Sequence, residues 1–152
     1  KMSLKQQIHV DFITAMKARD ENAKAALSSI KAAITNAEKV DGLGDLSDDD
    51  VIKVIIKAIK QREESVKMYE LACRDELVRK ESDEICVLQK YMPAQMTPQE
   101  IADALTGIIN RLSETVKNPQ ALQGKTIGEF NKAYQGRAEI GTVKAILADL
   151  IV

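Results

Sequence analysis

The chain has 152 residues, enough for one ordinary domain or two small ones, each able to bury a core. Its composition, 45% hydrophobic, 30% charged and 3% aromatic without tryptophan, favours helices packed on helices. A net charge of -1 excludes a long-range field that would draw nucleic acid or an anionic membrane to the whole molecule, so any polyanion must be met locally.

Helix start signals recur from the first residues onward. Ser3 and Gln6 have the spacing of a capping box, and Asp20 stands ahead of an Ala-rich stretch that runs to Val40. The first helix carries Leu4, Ile8, Phe12, Ala15 and Met16 on one face; the second carries Ala23, Leu27, Ile30, Ile34 and Ala37. Asp41-Gly42-Leu43-Gly44-Asp45 breaks the period and is a loop. Ser47 then caps a long helix in which Ile52, Ile55, Ile59, Arg62, Val66, Tyr69 and Cys73 alternate at spacings of three and four, a heptad seam. A further helix from about Asp75 to Tyr91 turns Val78, Ile85, Leu88 and Met92 inward, and Pro93 stops it. These four helices make the expected first domain, residues 2–92.

After the break MPAQM, Thr97-Pro98-Gln99-Glu100 supplies a cap, a proline at the first helical position and a glutamate three residues on. Ile101, Leu105, Ile108, Leu112 and Val116 form the stripe of that helix. KNPQALQG at 117–124 reads as a loop, and Thr126 with Glu129 as the capping box of a short helix that closes at Gly136. The last helix starts near Glu139 and buries Val143, Ile146, Leu147 and Leu150. No strand pattern occurs, so the expected fold is all-α, with a small three-helix C-terminal domain over residues 97–152.

Little in the chain resembles catalytic apparatus. LQGKT at 122–126 has the end of a phosphate-binding loop, but Pro119 stands where the first glycine belongs and no strand precedes it. Gly136 and Gly141 have the glycine spacing, yet Thr142 replaces the lysine, which makes YQGRAEIGTV a corner between helices with Arg137 exposed on it. Asp48, Asp49 and Asp50 complement a helix dipole. Cys73 and Cys86 lack the CxxC pairing or histidine neighbours of a zinc site and read as two buried reduced thiols. His9, the one histidine, reads as a partly buried structural residue. No catalytic residue, cofactor or metal is therefore expected.

The absence of an apolar run of about 20 residues and of a secretion signal points to a cytoplasmic protein without a membrane partner. Arg62 must be paired on its apolar seam, and Glu81 or Glu84 of the following helix can pair it. Residues 117–152 are the one basic segment, with five basic and three acidic side chains. Lys125, Lys132, Arg137 and Lys144 are its candidate nucleic-acid contacts.

Lys60-Gln61-Arg62, Arg74-Asp75 with Leu77, Lys80-Glu81, Glu84-Ile85, Leu88, and Tyr91 with Pro93 and Gln95 together resemble the central stretch of the YqeY-like proteins. The ending GRAEIGTVKAILADLI resembles that family's GRAdGxxV ending, and also the tail domain of the GatB subunit of the glutamine-dependent tRNA amidotransferase. The resemblance covers essentially the whole chain from Met2. It implies a four-helix domain joined to a three-helix domain and a connection to tRNA, since the GatB tail helps to hold tRNA while chemistry occurs elsewhere. Gly141-Thr142 in place of Gly-Lys removes one positive charge from the last helix. Three readings follow: an accessory protein that binds tRNA or a tRNA-processing protein, a helical adapter without RNA affinity, and a carbon-nitrogen ligase of amidotransferase type by resemblance alone. The oligomeric state is not legible.

Overall fold

The structure is a computed structural model and describes residues 1–151. Those residues form seven helices and no strand: α1 (Leu4–Ala18), α2 (Glu21–Lys39), α3 (Asp48–Leu71), α4 (Asp75–Gln89), α5 (Pro98–Leu112), α6 (Pro119–Ala133) and α7 (Ile140–Leu150). The chain divides into two compact units, one ending at Met92 and holding α1 to α4, the other beginning at Pro93 and holding α5 to α7.

In the first unit the local start signals hold. Ser3 and Gln6 form a reciprocal capping box, while Asp20 and Ser47 each accept a bond from the first turn of their helix. The core gathers Ile8 and Ala15 of α1, Ala26, Leu27, Ile30, Ile34 and Ala37 of α2, Val51, Ile55, Ala58 and Ile59 of α3, and Leu88 of α4. Polar ties fix the register around it. Lys5 bridges Glu38 at 2.6 Å and Asp45 at 3.0 Å, and Tyr91 donates to Asp11 at 2.5 Å. Burial, with the Asp11 carboxylate adding to it, holds the Tyr91 phenol protonated well beyond its ordinary range.

α3 has 24 residues and at about 1.5 Å per residue is about 36 Å long, yet its buried residues stop at Ile59. Further along, Met68 and Leu71 are 69% and 88% exposed. Cys73 closes α3 in the left-handed region at φ 55°, and the N–H of Arg74 returns to the Tyr69 carbonyl at 2.9 Å.

Three sequence expectations fail in this unit. Cys73 and Cys86 are exposed, the first because it turns the corner after α3. Cys86 sits two residues from both Glu84 and Leu88, the buried residues of α4, which rotates it about 200° off that stripe. His9 is exposed as well, 100° around α1 from buried Ile8, and its Nδ1 accepts a 2.9 Å bond from Lys31. Met16, next to buried Ala15, faces solvent for the same reason.

In the second unit Thr97 and Glu100 form the expected capping box, and Ile101, Leu105, Phe130, Val143 and Leu147 make the core. The start of α6 differs from expectation. Asn118 is the cap, accepting from the N–H groups of Gln120 and Ala121, and Pro119 opens the helix. Thr126 lies mid-helix and fully buried, its hydroxyl donating to the Leu122 carbonyl at 2.6 Å, while Glu129 pairs with Arg111. Gly124, placed in a loop by the sequence, and Gly128 both stand on the open side of α6, with no atom within 4 Å of where a Cβ would sit. Leu150, expected inside, is 39% exposed.

Limited proteolysis is accordingly expected to cut first at residues 41–45, a non-helical, solvent-exposed segment with two glycines at positive φ. Residues 119–124, a loop by sequence, should resist as part of α6. First cleavage inside α6, identified by mass spectrometry, would contradict its observed start.

Candidate nucleic-acid interface

The candidate residues of the second unit lie on two helices and the corner between them. On α6, Lys125 and Lys132 are seven residues apart and share one exposed face, because seven residues bring a helix almost back to the same angle. Neither ammonium has a hydrogen-bond or ion-pair partner among the described residues. Gly124 and Gly128 lie beside them and leave the helix backbone bare. The one carboxylate of α6, Glu129, is held by Arg111. Lys144 is exposed on α7, whose cap residue Glu139 makes no side-chain capping bond.

Arg137 is placed differently from the other three. Instead of standing free on the corner it is half-buried, its Nε donating to the Ala94 carbonyl at 3.0 Å and its guanidinium carbon 5.8 Å from the centre of the Tyr134 ring. Gly136 ahead of it has φ 75°, the left-handed turn that suits glycine. Two more bonds close the same corner: Met96 N–H to the Arg137 carbonyl at 2.8 Å, and Gln95 Nε2 to the Gly136 carbonyl at 2.8 Å. The PxQ and GRA motifs therefore meet in space, forty residues apart in sequence. The motif spacing is visible in the chain; the pairing is not, because hydrogen bonds between distant backbone groups leave no local pattern. Glu100 completes the surroundings. Its carboxylate sits below its usual range through the Thr97 backbone and side-chain bonds and, less, through the charge of Arg137.

In the first unit Arg62 donates from Nε and Nη2 to Glu84 Oε1 at 3.4 and 3.3 Å, and from Nη1 to the Ala58 carbonyl at 3.2 Å. Glu81, the other candidate partner, lies one turn earlier on α4, half-buried, and the Arg62 bonds go to Glu84. Among the described residues no group of three or more His, Cys, Asp or Glu side chains could hold a metal ion, and no helix is long and apolar enough to cross a membrane.

Comparison with known proteins gives relatives and a family. The protein named Altered inheritance of mitochondria protein 41, mitochondrial, of Clavispora lusitaniae is 30% identical over 118 residues, 76% of this chain and 68% of that protein. Its namesake in Saccharomyces cerevisiae is 36% identical over 83 residues, 54% of this chain and 44% of that protein. The namesake in Pyrenophora tritici-repentis is 26% identical over 132 residues, 87% of this chain and 71% of that protein. These names overturn the expectation of a cytoplasmic protein. That expectation rested on the absence of an apolar leader, whereas mitochondrial targeting segments are amphipathic and Arg-rich and leave no apolar signature. The model of the family described as Yqey-like protein matches residues 5–151, nearly the whole length, so the chain belongs to the YqeY-like family.

Proposed function

We propose that this protein is an accessory factor whose C-terminal unit binds RNA, with tRNA as the expected ligand, through the exposed face of α6 and Lys144 of α7. The observation that carries the reading is the local charge of α6. Lys125 and Lys132 share one face without partners among the described residues, and the only carboxylate of the helix is paired with Arg111. That face is net positive on a protein whose overall charge is -1. The bare backbone at Gly124 and Gly128 lets a phosphate chain approach more closely than side chains would allow. Contacts of this kind hold backbone phosphates and carry no base sequence, so binding without strong preference among tRNAs is expected.

Fluorescence anisotropy with unfractionated tRNA over a series of salt concentrations tests this. The wild type is expected to bind at low ionic strength with a steep dependence of log affinity on log salt. Lys125→Gln/Lys132→Gln should flatten the slope by about two units, one for each lost phosphate contact. Absence of salt-sensitive binding by the wild type ends the RNA reading. Exposed Met68 and Leu71 on α3 favour the adapter reading instead. It gains ground if co-purification from cells yields a partner protein and no RNA.

A further inference from the structure

Arg137 serves the corner with only part of its side chain. Of the five N–H donors of a guanidinium, the one on Nε is bonded to Ala94. The four on the two Nη atoms have no hydrogen-bond partner among the described residues. The guanidinium carbon of Arg137 is 5.8 Å from the centre of the Tyr134 ring, within the range of a cation–π attraction. A guanidinium held at Nε and open at both Nη atoms presents the fork that takes two oxygens of one phosphate.

We infer that phosphodiester binding at Arg137 and closure of residues 94–96 on the Gly136 corner are coupled, each strengthening the other. The inference rests on the RNA-binding reading and adds to its lysines a pre-oriented contact at the corner between α6 and α7. The physical reason is shared ordering. A free arginine loses rotamer freedom when it grips a phosphate, and the bond to Ala94 has already removed much of it. Linkage makes the effect reciprocal: a ligand that fixes the guanidinium also favours the state in which Ala94, Gln95 and Met96 are tied to the corner. Glu100 works against the ligand, since its carboxylate faces the same charge. Glutamine there keeps the capping box with Thr97 and removes only that opposition.

The test uses the full chain, with unfractionated tRNA and inorganic phosphate as separate probes. Two quantities are read: affinity, and hydrogen exchange of the Met96 amide, which is bonded to the Arg137 carbonyl. Saturating tRNA is expected to slow Met96 exchange about fivefold, the low end of ordinary coupling between sites. Arg137→Lys keeps the charge but lacks the fork; it should bind about tenfold more weakly and lose the effect on Met96. Its amide spectrum away from 94–100 and 134–139 should be unchanged, which separates loss of the contact from loss of the fold. Glu100→Gln should bind about threefold more tightly, and only while Arg137 is present.

Salt-sensitive tRNA binding with unchanged Met96 exchange, or with wild-type affinity in Arg137→Lys, overturns the coupling and leaves the RNA reading intact. Slowing of Met96 by inorganic phosphate but not by tRNA supports the coupling and overturns RNA as the source of the phosphate. No response to either probe overturns both.

Discussion

Glu84→Leu is expected to destabilise the first unit by about 3–5 kcal/mol, because it strands the largely buried Arg62 guanidinium without its carboxylate. The side chains of Arg62 and Glu84 are 13% and 8% exposed, and Glu84 Oε1 receives two of the three Arg62 bonds. Arg62→Met should be better tolerated than Arg62→Ala, since methionine refills the space that the aliphatic stem of arginine occupies. Both leave Glu84 without its partner. The double variant Arg62→Met/Glu84→Leu removes both charges and should return to within about 1 kcal/mol of the wild type or exceed it, as replaced buried pairs often do. Urea unfolding of the four proteins, read as a double-mutant cycle, measures this. Near-additive single effects, each under 1 kcal/mol, would mean that water reaches the pair and screens it.

In the second unit the largest expected loss is that of Phe130→Ala, about 3–5 kcal/mol. Phe130 is 1% exposed and its ring stands 5.0 Å from that of Tyr134. A core of five buried residues has few others to close the gap. Loss of amide protection in α5, α6 and α7 by hydrogen exchange, with α1 to α4 still protected, is the expected result. Full protection in α6 would show that neighbouring side chains refill the cavity. Tyr134 also supports the Arg137 guanidinium, so the same variant should bind tRNA more weakly.

What was legible in the sequence was mostly local. The caps at Ser3, Asp20, Ser47 and Thr97 can be read because donor and acceptor lie within three residues of one another. The start of α6 could not be read the same way. Asn118-Pro119 is a valid cap and first position, but the polar stretch KNPQALQG, with its proline and Gly124, reads as a loop, and only the burial of Thr126 and Phe130 overrides its weak helix propensity. The error on Cys86 came from reading residue type in place of angle around the helix, and that on Cys73 from continuing the seam past Leu71, where α3 ends. Arg62 on an apolar seam announced a partner, whereas the choice of Glu84 over Glu81 depends on how α3 and α4 are set against each other, which no single-helix pattern encodes. The lysines of the candidate interface were visible as an excess of charge. The tie from Arg137 to Ala94 was not, since its acceptor is a backbone carbonyl and every residue has one.

The two bare glycines of α6 put the proposed function in competition with stability. Alanine at 124 or 128 would meet nothing within 4 Å and would favour the helix by about 1 kcal/mol at each position. An unused surface would gain from the change at no loss. If a phosphate chain packs against that backbone, the added methyl groups hold it away, and Gly124→Ala/Gly128→Ala is expected to melt at a higher temperature while binding tRNA less well. Higher stability with weaker tRNA binding is the paired outcome that the proposed interface predicts, whereas higher stability with unchanged binding would mean that no phosphate chain packs against this backbone.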